Sequence, residues 1–331
     1  MAHLKAYWFP YLLGVIILVV IVSELSSNDP GKEKLFDPAD KQISVVPDIN
    51  ELSNSEADNL IRYGKALIDS TSRYFGPHGS IASITSGLNC QNCHRESGTK
   101  LYSNNFLAVA STYPKFRERS GRFESVEWRI NECMQRSLNG EPIDSFSKEM
   151  RAMVAYINWT GKNVKKNVKT EGAENKELAF LERAADQLKG KSIYLAKCKT
   201  CHGENGEGKV SLDSVGYIYP PLCGEHSYAV SAGMFRLSKL ASFIKNNMPL
   251  GATYAGPQLS NEEAWDVAAY INSQPHPKKM FASDWPVLRS KPVDYPFGPY
   301  TDGFSEKQHK YGPFYPIKKV KDIPIAIGMK K

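Results

Sequence analysis

Two five-residue stretches carry the clearest chemistry in this chain: Cys90-Gln91-Asn92-Cys93-His94 and Cys198-Lys199-Thr200-Cys201-His202. Each is a C-x-x-C-H, the pattern to which a c-type haem is attached. The two thiols add across the haem vinyl groups, and the histidine that follows is placed to bind the iron as its proximal ligand. One copy alone is compatible with a zinc or dithiol pair. Two copies, each opening a similar stretch of chain, point to two covalently attached haem c groups, held by Cys90, Cys93 and His94 and by Cys198, Cys201 and His202.

Each iron has a second axial position, filled or open, and that choice sets its reactivity. In the second half, Met248-Pro249 lies just before the last apolar helical pattern, where small cytochromes c present a thioether sulfur. Met234, after Gly233, is the competing sulfur, and either methionine could instead fill a gap in the core. The first half differs. If Arg129 to Gly140 starts as a helix, Arg129, Cys133 and Ser137 fall at i, i+4 and i+8 on one face, with Arg136 beside them. A lone cysteine is usually an inert core residue. Flanking guanidinium groups, however, favour the thiolate, the form that binds iron or acts as a nucleophile. The same arginines offer forked donors to an oxyanion. Met134, Met150 and Met153 are competing sulfurs, of which the last two fall in a helical pattern and read as core.

The elements that must position these residues repeat once. Ser55 precedes a helical pattern from Glu56 to Asp69, the first haem motif follows, and a closing helix runs from Lys148 to Trp159. A second helix, from about Asn175 to Ala196, leads into Cys198, and a closing helix covers Asn261 to Gln274. The closing helices share a tetrapeptide, Ala155-Tyr156-Ile157-Asn158 and Ala269-Tyr270-Ile271-Asn272. The layout predicts an all-α chain of two tandem cytochrome c domains, 55–160 and 178–274, each with one haem. Residues 24–54 read as a polar linker, and 161–177, rich in Lys, Asn and Glu, as an exposed one. From 275 to 331 the chain is dense in Pro, Tyr and Phe and reads as an irregular C-terminal extension.

Residues 1–23 hold Lys5 and an apolar run from Ala6 to Val22, read as an N-terminal hydrophobic helix that anchors the chain. A cleaved signal is the alternative; Glu24 and Leu25 spoil the cleavage site. Either way the remainder is expected outside the cytoplasm, on the periplasmic side of the inner membrane, where haem c is attached. Of six cysteines, Cys133 and Cys223 are left over by the haem motifs; a disulfide and two free thiols are both open. The net charge of +7 suits an anionic substrate or an acidic partner, and no nucleic-acid motif is present.

Beyond the haem motifs, the chain resembles the dihaem thiosulfate dehydrogenases, which form tetrathionate, and their relatives among the cysteine-ligated sulfur-oxidation cytochromes. The resemblance rests on Arg117-Glu118-Arg119-Ser120-Gly121, Arg129 to Gly140, Glu149 to Met153, Tyr219-Pro220-Pro221-Leu222 and Asn246 to Gly251, and continues into the tail at Asp294 to Gly298 and Gln308 to Gly312. It implies His94 and Cys133 as axial ligands of a catalytic haem, with Arg119, Arg129 and Ser137 lining the substrate pocket. It implies His202 and Met248 for the second haem. It also implies thiosulfate and tetrathionate as substrate and product, and a small cytochrome c or a membrane oxidase as electron acceptor. Two positions depart from the family. Cys223 stands where tryptophan is usual, and Asn247 where some relatives carry a lysine able to bind iron, which argues against such a ligand switch here. The competing expectations are a non-catalytic membrane-tethered dihaem carrier and a dihaem peroxidase. An arginine-flanked cysteine disfavours the first, and a thiolate on the iron disfavours the second.

Overall fold

The computed structural model describes residues 44–323. Its elements run α1 (Glu56–Asp69), a hairpin of β1 (Lys115–Arg117) and β2 (Arg122–Glu124), α2 (Val126–Arg136), α3 (Lys148–Thr160), α4 (Gln187–Lys197), a hairpin of β3 (Lys209–Val210) and β4 (Tyr217–Tyr219), α5 (Leu237–Asn247), α6 (Asn261–Ser273), α7 (Glu306–Tyr311) and α8 (Tyr315–Lys321). The helices begin where short polar side chains can accept the first free amides. Ser55, Ser147 and Ser260 cap α1, α3 and α6, and Asp186 caps α4.

Two helix crossings build the two halves. α1 packs on α3 and α4 packs on α6. Each crossing is made close by one glycine: a Cβ on Gly64 would lie 1.9 Å from the Ala152 carbonyl oxygen, and one on Gly190 1.9 Å from that of Asp266. Around the first crossing Leu67, Ile68, Met150, Met153 and Tyr156 form one buried cluster. Around the second, Tyr194, Leu237, Leu240, Trp265 and Ala268 form another. Met150 and Met153 are thus core residues, with no exposed surface.

The structure corrects the sequence reading in several places. The chain is mostly helical but not wholly so, because two antiparallel hairpins interrupt it. The first pairs Phe116 with Phe123 across a turn at Gly121, whose φ of +66° suits glycine. The helix expected from Asn175 starts only at Gln187, since Leu178, Phe180 and Leu181 pack extended against the second core. Residues 161–177 are largely exposed but docked: Thr170, Ala173 and Asn175 are buried, and the Gly172 carbonyl accepts from the Tyr102 amide at 2.7 Å. Within 24–54, Val46, Ile49 and Leu52 pack against the first core. The extension after 275 holds α7 and α8, and Phe314 and Ile317 seal the second core. Among the described residues no helix is long and apolar enough to cross a membrane, and the expected helix at 1–23 lies outside them.

Candidate active site

A cavity of about 580 Å³ is lined by both C-x-x-C-H motifs at once. In each motif the histidine amide donates to the first cysteine's carbonyl at 3.0 Å, so a single tight turn sets the two thiols and the ring. Both rings are then oriented by backbone carbonyls. His94 Nδ1 bonds the Asn104 carbonyl, and His202 Nδ1 bonds that of Pro220 at 2.9 Å. A carbonyl only accepts, so Nδ1 carries the proton and Nε2 keeps its lone pair. Two thiols beside a free Nε2 on a largely apolar cavity wall fit a covalently bound haem at each motif.

Cys133 lines the cavity facing His94. It sits on α2, and its sulfur is within hydrogen-bonding reach of the His94 ring. Burial pushes this thiol up, but the Arg129 guanidinium and the hydrogen bond with His94 outweigh it and hold it at about 7. The attachment thiols lack that compensation: burial pushes Cys90 to about 11 and Cys93 to about 12. Arg129, Cys133 and Ser137 all line the cavity, the single face expected from their spacing.

The arginines around this thiol divide into two kinds. Arg129 is bonded to Glu132 at 3.0 Å. Arg136, expected beside the thiol, does not line the cavity. It is bidentate with Asp284, at 2.6 and 2.7 Å, meets Glu132 at 3.2 Å, and lies over the Phe281 ring. It is a structural cation: the carboxylates of Asp284 and Glu132 and the Phe281 ring hold its side chain away from the cavity, although its helical position is close to that of Arg129. Arg119 lines the cavity and, among the described residues, has no carboxylate partner. Burial and the like charges of Arg129 and Arg136 lower it to about 10. It is a surplus positive charge of the site.

Sequence reasoning missed Arg117 and Tyr113, which line the same end. The alternation Arg117-x-Arg119 at the β1 end was the available signal. At the other end, Met248 and Met234 both line the cavity. Met234 belongs to the buried core cluster, whereas Met248 caps the C-terminus of α5 and is only partly buried. Between the two ends, Asn175 donates to the Asn104 side chain at 3.0 Å and Asn247 donates to the Tyr102 carbonyl at 3.1 Å. Cys133 and Cys223 are free thiols. Cys223 donates to the Asn205 carbonyl at 2.9 Å and is not part of the cavity wall.

Comparison with known proteins gives this arrangement a context. Residues 82–165 match the family "SoxA/TsdA, cytochrome c domain", and residues 187–275 match the cytochrome c family. A thiosulfate dehydrogenase of Stutzerimonas stutzeri is 32% identical over 78% of this chain and 82% of its own length. One from Psychrobacter arcticus is 35% identical over 73% of this chain and 71% of its own. The structure of thiosulfate dehydrogenase TsdBA from Marichromatium purpuratum, as isolated, superposes with a TM-score of 0.64 at 27% identity, covering 70% of this chain and 49% of that one. This chain therefore spans about half of that solved chain.

Proposed function

The chain belongs to the thiosulfate dehydrogenase family, and on that premise we propose that it joins two thiosulfate ions into tetrathionate at the Cys133 end of its cavity. It is an oxidoreductase acting on thiosulfate and carries two covalently bound haem c groups. The balance is 2 S2O3(2−) → S4O6(2−) + 2 e−, and the same site run backward reduces tetrathionate. The observation that carries the reading is the unpartnered Arg119 guanidinium in the cavity that also holds Cys133 and Arg129.

His94 and Cys133 would hold the first haem, His202 and Met248 the second. Each haem, when bound, supplies a one-electron acceptor. The remaining work falls to the chain. Two dianions repel, so the site must offer fixed positive charge where they meet. Arg119 and Arg129 grip the sulfonate oxygens with forked donors, and the Ser137 hydroxyl adds a donor on the same face. The sulfane sulfurs are thereby turned toward the polarisable sulfur of Cys133, away from water.

Thiosulfate should reduce the oxidised holoprotein, and tetrathionate should reoxidise it. Arg119→Ala should lower kcat/KM about tenfold to a hundredfold, the loss of one charged hydrogen-bonding contact. Its haem spectra should not move, and salt should weaken the wild type as screening grows. Wild-type protein that stays oxidised in excess thiosulfate, with tetrathionate unable to oxidise its reduced form, would leave only the electron-carrier reading standing.

For the second haem, Met248→Ala should abolish the weak long-wavelength absorption of methionine–iron ligation and lower that haem's potential. Loss of the band in Met234→Ala alone would transfer the role to Met234. The reading also includes a periplasmic location, an N-terminal anchor at 1–23, and a small cytochrome c or membrane oxidase as acceptor. The attachment of haem c outside the cytoplasm and the apolar run from Ala6 to Val22 support it.

A further inference from the structure

We infer that Trp285, on the segment that follows both haem domains, is a positioning residue for the substrate: it holds the Arg119 guanidinium in the cavity. The inference rests on the reading of Arg119 as a substrate-binding residue. Arg119 sits on the turn between β1 and β2, a short hairpin whose strands expose Phe116 and Phe123. Such a hairpin does not hold a charged side chain in place by itself. With no carboxylate beside it, Arg119 is fixed from the C-terminal segment instead. The Trp285 amide donates to the Arg119 carbonyl at 2.6 Å. The Arg119 guanidinium carbon lies 5.7 Å from the Trp285 ring centroid, within the range of cation–π attraction. One residue on, Pro286 closes against the same turn: a Cβ on Gly121 would meet Pro286 Cγ at 2.5 Å.

Trp285 is itself held firmly. It is 6% exposed, and its ring meets the edge of Tyr295 at 5.2 Å. The preceding residue is locked by the bidentate Asp284–Arg136 pair. The Trp285 backbone has φ +62°, a left-handed conformation rare for a bulky side chain and kept only where the surroundings impose it. Arg119 lines the cavity and Trp285 does not, so the ring lies behind the guanidinium and out of reach of substrate. A π face can attract the cation without neutralising it. A carboxylate in the same place would cancel the charge on which anion binding depends. The consequence for the reaction is that the first haem's site is completed from outside both cytochrome c domains.

The test uses the holoprotein with Trp285→Leu, which keeps apolar bulk and loses the π face, and Trp285→Phe, which keeps a ring. Tetrathionate binding to the oxidised protein is measured by calorimetry, alongside thiosulfate kinetics. Trp285→Leu should weaken tetrathionate binding and raise KM by about tenfold, with kcat nearly unchanged, because uniform binding is lost. Trp285→Phe should recover most of that loss. Arg119→Ala/Trp285→Leu should be no worse than Arg119→Ala alone, since the ring acts only through the arginine. Equal binding by the Leu and Phe variants, or additive losses in the double variant, would overturn the inference while leaving Arg119 its role. An Arg119→Ala variant that binds tetrathionate like wild type would instead remove the reading beneath it.

Discussion

Cys133→Ala should lose roughly a thousandfold or more in thiosulfate turnover, as expected where the residue closest to the chemistry is removed outright. Cys133 faces His94 in the cavity wall and is kept near ionisation by Arg129. Both features serve one arrangement, a sulfur anion opposite a histidine. The oxidised wild type should show a low-spin thiolate–histidine signal in low-temperature EPR, absent in the alanine variant. Cys133→Met separates ligation from thiolate character. It offers a sulfur ligand that cannot ionise, so a six-coordinate haem with almost no turnover is the expected result. Turnover within tenfold of wild type in Cys133→Ala, or an unchanged EPR spectrum, would remove Cys133 from the reaction.

Asp294→Ala should be the most damaging substitution for stability away from the haem sites. Asp294 is 1% exposed and lies on the C-terminal segment. One carboxylate oxygen accepts from Arg236 Nε and a terminal guanidinium nitrogen at 2.9 and 2.6 Å, and the other from the Ser238 amide and hydroxyl at 3.0 and 2.6 Å. It therefore pins that segment to the start of α5. Removing one partner of such a buried pair costs about 3–5 kcal/mol. In a protein of this size that lowers Tm by roughly 10 °C. Burial pushes the carboxyl up, but the Arg236 charge and the hydrogen bonds from Ser238 and Arg236 hold it below its usual value. The sign follows: the contribution is complete above the ordinary aspartate pKa of about 3.9 and disappears as pH falls through the lower folded value. Thermal melts followed by circular dichroism should show a constant gap between wild type and variant above about pH 4, narrowing below it. A gap that is small at neutral pH, or unchanged down to pH 2, would mean that the pair is not what holds the segment.

The parts legible in the sequence were those fixed by local pattern. The haem motifs are contiguous, and α1, α3 and α6 combine a capping serine with apolar residues at helical spacing. The shared face of Arg129, Cys133 and Ser137 follows from the helical period. What stayed hidden depends on distant partners. Leu178, Phe180 and Leu181 have the composition of a helix start, yet they are buried extended against a core that the sequence places later. Asn175 looks solvated in the sequence because its partners, Asn104 and Asn247 of α5, are distant in the chain. Arg129 and Arg136 look equivalent on α2 until Asp284, far along the chain, claims the second.

The shared cavity bears on how the protein is made. A chain carrying no haem keeps a water-filled space of about 580 Å³ between its two haem motifs. The apolar residues of its wall, among them Leu88, Phe106, Leu240 and Phe243, then lose the burial that a haem would give them. Final packing of that wall should therefore follow haem attachment. Because both motifs line one space, a chain loaded at Cys90 and Cys93 but not at Cys198 and Cys201 keeps an unsupported wall on its finished side. Half-loaded protein should be cleaved faster than the dihaem form in limited proteolysis.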